Sequence, residues 1–485
     1  MGLRPFIRIS PILRIWLLGL IALSAFFLGT SSLSDSFPYY PLIVGGIIPA
    51  AIMFLMILLG WLRNPAYALY VTLFVVFLPT GLIPADIHSL LKRSLTIAAL
   101  ASFLIYDFSG VLRAAQSITV LLMVGYLLWS GVSWFWAENI DMGAVTLQAY
   151  TMRLILFLVL LVSGIKTEKQ MDGLMGILAL NGWVLMAASL GWLLLKGYEP
   201  GSRFKVIDEN ENWLGMFALC AMQGVLWHSI KLSTKHQALR KLIGAIYLVM
   251  TIGLIGISGS RGTAISIFVT LLAFCFWKPT RSWAKISLII LLLATIVFPF
   301  VFTTTVQRFA GTEEDTFLGG REELWQAGWQ LIKENPLIGV GIGNSSFEVE
   351  GLTRSDWDLE IRSIGKPVHN PLLVVWSETG IVGLFLYLGV LVSAVWSFTH
   401  SYLKSRILGI DWLDRYFALV GSVFLGYMAS WIKAGGAESD FIYFLLLGLL
   451  LIPSTLNIKE LRNTNKSQIE KTRNSIPNIS RSSEG

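Results

Sequence analysis

The chain of 485 residues is far more apolar than a soluble protein, because 55% of its residues are hydrophobic and only 14% are charged. The net charge of +7 does not indicate a nucleic-acid partner, since lysine and arginine cluster in short gaps between apolar runs. These runs recur from Ile12 to Ile452, and many are long enough to cross a bilayer core of roughly 30 Å. The composition excludes a soluble enzyme and predicts an all-α, polytopic integral membrane protein.

In chain order, the apolar runs predict about twelve to fourteen spans, and our assignment has fourteen: 12–32, 41–61, 66–84, 93–107, 116–136, 147–165, 173–196, 212–230, 241–259, 262–278, 284–302, 371–398, 414–432 and 440–456. The first run follows three arginines and resembles a signal peptide, but its length favours a retained helix. Alternate gaps are rich in lysine and arginine, which predicts that both termini lie in the cytoplasm.

This assignment divides the chain into four parts. Residues 1–302 form about eleven N-terminal spans, and 303–370 form a large extracytoplasmic loop with short helices. Residues 371–456 form about three C-terminal spans, and 457–485 form a disordered, basic cytoplasmic tail. Loops as long as the second part are usually functional.

Within that loop, Arg321 to Asn335 has the periodicity of a helix that Pro336 ends. Its apolar positions and two tryptophans fit a helix lying in the membrane interface, and they fit equally a helix that packs on the loop's own core.

Three charged or titratable positions stand where outward loops meet the spans. Arg261 follows a small-residue turn, Ser258-Gly259-Ser260, and its planar guanidinium suits an anionic oxygen, although it could instead cap helix carbonyls. Arg321 begins the loop helix and could be a surface partner of its acidic neighbours. His369, beside Asn370 in Pro367-Val-His-Asn-Pro371, is a candidate general base, although a structural histidine is the alternative.

Other polar positions are further candidates. Arg153 is predicted just inside the outer end of the sixth span, where it faces a polar cavity or pairs with a carboxylate. Arg203 and Asn212 lie in the first outer loop, as substrate contacts or as part of a solvated rim. Glycines 339, 341 and 343 permit a close backbone approach, either to a ligand or in a tight turn. The two cysteines form no metal-ligand pattern, so we expect no metal and no cofactor.

Five motifs occur in order along the chain: Ser258-Gly-Ser-Arg-Gly262, Gly320-Arg-Glu-Glu-Leu-Trp325, Asn335-Pro-Leu-Ile-Gly-Val-Gly-Ile-Gly-Asn344, His369-Asn370 and Glu378-Thr-Gly380. Together they resemble the O-antigen ligase and polymerase superfamily of membrane glycosyltransferases, closely over about 200 to 380. Pro371 departs from many relatives, which carry a polar or aromatic residue there.

The resemblance implies transfer of a glycan from a polyprenyl-diphosphate donor to an acceptor hydroxyl, with inversion and without a metal, at the outer face of a bacterial inner membrane. It implies that Arg261 and Arg321 hold the diphosphate while His369 deprotonates the acceptor, and that Asn370 and Glu378 belong to the substrate site. The acceptor, lipid A-core or a growing polysaccharide, stays open, so ligase and polymerase are both expected classes. A transporter and a non-catalytic scaffold are the alternatives from other classes.

Overall fold

The protein is a bundle of α-helices in the computed structural model. The structure describes residues 63–79, 85–197, 204, 211–230, 236–287, 289, 321–352, 368–408, 410–432 and 440–456. No β-strand occurs within these ranges. The predicted all-α class is confirmed.

The helices of the described ranges are numbered in chain order. They are α1 (Pro65–Val76), α2 (Ala85–Tyr106), α3 (Phe108–Ala115), α4 (Ile118–Ser133), α5 (Ile140–Arg153), α6 (Glu168–Lys196), α7 (Glu211–Ile230), α8 (Gln237–Ser258), α9 (Arg261–Phe274), α10 (Glu322–Glu334), α11 (Ser345–Leu352), α12 (Pro371–Leu408), α13 (Asp411–Trp431) and α14 (Phe441–Thr455). A 3-10 turn (Trp134–Trp136) extends α4. The axis of α5 continues through a π-helical segment (Leu154–Leu160) and a last α-helical turn (Leu161–Gly164).

Seven helical segments in the described ranges are long and apolar enough to cross a bilayer. They are Asp86–Tyr106, Ile118–Trp136, Ile140–Gly164, Glu168–Lys196, Asn212–Ile230, Gln237–Ser258 and Pro371–Ile407. Arg261–Phe274 and Lys278–Ser287, bent by 109°, form an eighth if they are one span. The polytopic architecture is confirmed. Predicted spans 12–32 and 41–61, most of 284–302 and the tail 457–485 lie outside the described residues, so the count of fourteen and the four-part division stay predictions.

Short polar side chains start several of these helices. Ser117, Asn139, Thr167, Ser260 and Asp440 each accept a hydrogen bond from a backbone N–H of the first turn. Such caps satisfy donors that have no partner inside the helix. The capping residues therefore set the helix starts, and they do so independently of hydropathy.

Three details differ from the predicted spans. The helix of the sixth span begins at Ile140, seven residues before the predicted start at 147, because Asn139 caps it ahead of the apolar run. Arg153 thus lies in the middle of a helix from Ile140 to Gly164, and its place relative to the membrane edge stays a prediction. The short span predicted at 93–107 is a full helix of 22 residues, α2. The span that starts at Pro371 is broken at Gly380.

Ionic and aromatic contacts close the end of the bundle opposite the start of α12. Arg415 of α13 bonds Glu168 at the start of α6 at 2.9 Å and lies 4.7 Å from the ring centroid of Trp227 on α7. Lys166 pairs with Asp107 nearby. The start of α12, where the candidate histidine lies, is thus at the other end of the molecule.

Candidate functional site

The glycine-rich segment after α10 is a structural clamp between α4, α5 and α12. Glycines 339, 341 and 343 all have left-handed φ values, of 71°, 100° and 77°. Val340 N–H donates to Ser377 O at 2.8 Å, and Gly341 N–H donates to Glu378 O at 2.9 Å. A Cβ at any of the three glycines would meet neighbouring backbone within 2.7 Å. Of the two interpretations left open, the tight turn describes these glycines.

The same segment holds the break in α12. Gly380 has φ 66°, and a Cβ there would lie 2.0 Å from Leu337 O. Ile381 N–H donates to Pro336 O at 3.0 Å. Only glycine tolerates both this φ and this approach, so Gly380 lets the chain of α12 turn around the clamp.

Glu378 is buried inside this clamp. Its Oε1 accepts a hydrogen bond from Ser345 Oγ at 2.7 Å, at the start of α11. The side chain is 3% exposed. Glu378 thus ties α11 to α12, and a direct contact with substrate stays a prediction.

The loop helix α10 packs on the start of α12. Ala327 and Leu331 form a buried cluster with Val349, Val368 and Val374. Gly328 lets α10 come close, because a Cβ there would lie 2.9 Å from Val368 Cγ1. The packing interpretation of this helix therefore holds for its apolar face. It also fixes Val368, the neighbour of His369.

Arg321 and His369 lie within electrostatic reach of each other. Burial is the larger cause and the Arg321 charge the second cause of a His369 pKa lowered to about 4. Both groups precede a helix, α10 and α12, and the packing of these two helices brings them together. The two residues are 48 apart in the chain, yet they share one site.

The backbone of His369 is held in an unusual conformation. Its φ of 54° is the only positive φ of a non-glycine residue in the described ranges, and such a conformation costs about 1–3 kcal/mol. Asn370 follows as the cap of α12, with its Oδ1 accepting from Leu372 N–H at 3.1 Å and Leu373 N–H at 3.2 Å. Pro371 takes the first helical position, where a missing N–H costs nothing. The backbone of His369 thus lies between a buried valine and a capped helix start.

Arg261 begins α9 beside a polar network that includes Asn212. Ser260 Oγ lies 2.8 Å from Asn212 Oδ1 and 2.9 Å from Thr263 Oγ1. The preceding Gly259 is left-handed, which turns the chain sharply from α8 into α9. The two predicted residues Asn212 and Arg261 are therefore brought to one turn. Arg203 lies outside the described residues, although the next residue, Phe204, is buried and donates its N–H to Ile257 O.

Arg153 belongs to a third group, inside the bundle. Its guanidinium carbon lies 4.4 Å from the ring centroid of Phe441, and Lys92 Nζ lies 5.3 Å from the same centroid. Asp440, the cap of α14, is close enough for its charge to interact with Arg153, and it accepts a hydrogen bond from the Tyr427 hydroxyl. Arg153 thus has a carboxylate charge and a second cation in its neighbourhood.

Lys92 was missed by the sequence reasoning. The predicted span starts at 93 and leaves Lys92 in a polar gap, whereas α2 begins at Ala85 and places Lys92 inside a helix. A lysine–arginine pair within an apolar helix is itself a signal of function. The π-helical segment directly after Arg153 is a second signal of function, because such segments are frequent at functional sites.

Residues 245–388 match the model of a protein family described as O-antigen ligase. The resemblance to this superfamily is confirmed. This match includes Arg261, Arg321, His369, Asn370 and Glu378. It does not include Arg153 and Lys92, which precede residue 245, or Phe441, which follows residue 388. The chain is also 36% identical over 85 residues to the exopolysaccharide production protein ExoQ of Rhizobium meliloti (strain 1021). That alignment takes in 17% of this chain, and the chain spans only 19% of the length of this relative.

Proposed function

We propose that the protein transfers a glycan from a polyprenyl-diphosphate donor to an acceptor hydroxyl at the outer face of a bacterial inner membrane. The observation that carries this proposal is the packing of α10 on the start of α12, which brings the Arg321 charge within electrostatic reach of the half-buried imidazole of His369. A permanent cation beside a neutral imidazole offers an anion-binding group and a proton acceptor in one site. The match of residues 245–388 to the O-antigen ligase family supports the same reaction class.

His369 is the proposed general base. Its neutral imidazole accepts the proton of the acceptor hydroxyl as the oxygen forms a bond to the anomeric carbon. The bond from that carbon to the diphosphate oxygen breaks, and its electron pair leaves with the diphosphate. Attack opposite the leaving group inverts the anomeric centre.

Arg261 and Arg321 are the proposed contacts to the leaving diphosphate. Negative charge grows on the diphosphate as the bond breaks, and a guanidinium can bind two of its oxygens at once. Fixed cations in a site of low dielectric stabilise this charge strongly. The proposed reaction needs no metal ion.

In the proposed mechanism, binding of the donor also raises the pKa of the base. In the free site, burial and the Arg321 charge keep the His369 pKa near 4, which makes the imidazole a weak base. A bound diphosphate offsets the Arg321 charge, so the His369 pKa rises when the donor is present. The base therefore gains strength only after the donor has bound.

Arg153 and Lys92 are proposed as further donor contacts, with Asn212, Asn370, Glu378 and Arg203 around the substrate site. Cations at this depth are costly unless they face a polar cavity or a partner. Their convergence on Phe441 gives the interior a positive region.

The test uses purified protein in lipid nanodiscs, a polyprenyl-diphosphate oligosaccharide and an acceptor glycolipid, with the product read by mass spectrometry. His369→Asn removes the base but suits a left-handed φ, so we expect the fold to remain and transfer to fall by about 10²–10⁴-fold. Arg261→Gln and Arg321→Gln should each cost about 10²-fold or more. His400→Asn and Arg406→Gln, both exposed near the C-terminal end of α12, are the matched controls.

Two outcomes would contradict this proposal. Full transfer by all three variants would exclude the assigned site, and transfer that stops with a chelator and returns with a divalent ion would exclude the metal-free mechanism. Uptake of a labelled glycan without any new glycosidic bond would instead indicate a transporter.

A polysaccharide polymerase is the second candidate, favoured by the similarity to a protein named for exopolysaccharide production. Deletion of the gene distinguishes the two. Lipid-linked single repeats should accumulate if the protein is a polymerase, whereas uncapped lipid A-core should accumulate if it is a ligase.

A further inference from the structure

An exposed apolar patch lies beside the glycine clamp, and neither the fold nor the proposed reaction uses it. We define this rim patch as Phe135, Trp329, Leu337 and Ile338. Phe135 is 86% exposed and Leu337 is 67% exposed. Hydrogen bonds join their segments, since Trp136 Nε1–H donates to Gly339 O at 3.2 Å.

The rim patch continues the apolar faces of two membrane-spanning helices. Leu128, Val132 and Phe135 are spaced to lie along one face of α4 and its 3-10 extension, and all three are exposed. Val382 and Phe385 are exposed on α12 directly after the break at Gly380, where Leu337 is in contact. These faces meet lipid acyl chains in any bilayer that the two helices cross.

The composition around the patch fits the boundary between lipid and water. Residues 335–347 contain no charged side chain. Trp376 Nε1–H donates to Pro336 O, and its ring meets Trp329 edge to face at 5.6 Å. Tryptophans with an apolar body and a hydrogen-bonded N–H concentrate at this boundary. Charged and polar side chains return at Gln330, Lys333 and Glu334 on the exposed face of α10.

We propose that the rim patch is inserted into the bilayer at the boundary of headgroups and acyl chains, so that residues 336–338 are a membrane-seated part of the loop. The occupant is bilayer phospholipid, held by burial of apolar side chains. This inference does not depend on the glycosyl-transfer reaction.

The test places a fluorescent probe on a single cysteine in a Cys275→Ala protein, since Cys275 is exposed and Cys220 is buried. The protein is reconstituted in liposomes of phosphatidylethanolamine and phosphatidylglycerol, without polyprenyl lipids and at a high lipid-to-protein ratio. Leu337→Cys is the test position, with Leu128→Cys as the lipid-facing control and Gln330→Cys as the water-facing control. Ile338→Cys repeats the test if Leu337→Cys does not reconstitute.

We expect phosphatidylcholine with a nitroxide near the headgroup to quench the probe at 337 as strongly as the probe at 128, and iodide in water to quench it weakly. Quenching of the 337 probe by iodide to the extent seen at 330 would overturn the proposal. Protection from both quenchers would also overturn it, because a protein surface, such as a second copy, would then cover the patch.

Discussion

His369 combines three constraints at one residue. Its backbone is left-handed, its ring is half-buried, and its pKa is lowered to about 4, mainly by burial and then by Arg321. A solvated histidine has a pKa near 6.5, so the unfolded chain takes up a proton in the window from pH 6.5 to 4 while the folded site does not. The site therefore loses stability as the pH falls through this window.

The pH dependence of His369 can be measured without the reaction. Modification by diethylpyrocarbonate requires a neutral imidazole, and peptide mass spectrometry separates His369 from the other four histidines. We expect its reactivity to stay constant from pH 7 to about 5. Arg321→Gln should move the loss of reactivity toward pH 6.5, and Arg321→Lys should not. An unchanged profile in Arg321→Gln would mean that the Arg321 charge does not act on the ring.

A substitution at Lys92 tests whether the group of Lys92, Arg153 and Asp440 binds the lipid-diphosphate donor. If Lys92 binds the donor, Lys92→Gln should raise the KM for the lipid-diphosphate donor about tenfold or more, since a charge-assisted hydrogen bond contributes about 1.5–3 kcal/mol. The value of kcat should change less. Lys241→Gln, at an exposed position of α8, is the control. A normal KM would remove Lys92 from the site.

Arg153 and Asp440 need a separate measurement, because a structural pair explains their proximity equally well. A purely structural pair predicts that Arg153→Gln and Asp440→Asn each lower the Tm and that the double variant regains much of the loss. A donor contact predicts instead that Arg153→Gln raises the donor KM in protein of normal Tm.

At the scale of helices, hydropathy predicted where the chain crosses the membrane but not where helices begin or break. Asn139 starts the helix of the sixth span seven residues, or about two turns, before the predicted start, which places Arg153 in the middle of the helix. The break in α12 arises from a contact between Gly380 and Leu337, which are 43 residues apart in the chain. Such long-range contacts leave no local signal. The motif order nevertheless predicted the resemblance to the O-antigen ligase family, which residues 245–388 confirm, and the residues that α10 and α12 bring together.

The close packing of α10 on α12 at Gly328 can be tested by substitution. Gly328→Ala places a methyl group 2.9 Å from Val368 Cγ1, so we expect it to displace His369 and to lower transfer by more than it lowers the Tm. Val368→Ala removes the colliding methyl groups, and the double variant should recover activity. Gly131→Ala, at a helix position with open space around it, is the matched control. Equal activity of the single and double variants would show that this contact does not position His369.

At the scale of the molecule, the two ends of the bundle are chemically different. One end carries the clamp, α10 and His369, and the other carries the Arg415–Glu168 and Lys166–Asp107 pairs. The proposed reaction requires the first end to face outward, and lysine and arginine in the gaps predict the same orientation.

An impermeant maleimide tests this orientation in intact cells. In a Cys275→Ala background, Glu323→Cys on the exposed side of α10 should be labelled directly. Leu403→Cys, exposed near the far end of α12, should be labelled only after the membrane is permeabilised. The reverse pattern would place His369 in the cytoplasm and would exclude the proposed use of an exported donor.

The backbone on either side of His369 is held in place. Hydrogen bonds from α12 hold Asn370, and the contact with Gly328 holds Val368. The position of His369 is therefore set by α10 and α12, the two helices that meet at Val368. A chimera between relatives that exchanges α10 together with the start of α12 should therefore keep this histidine in place, whereas exchange of either helix alone should displace it.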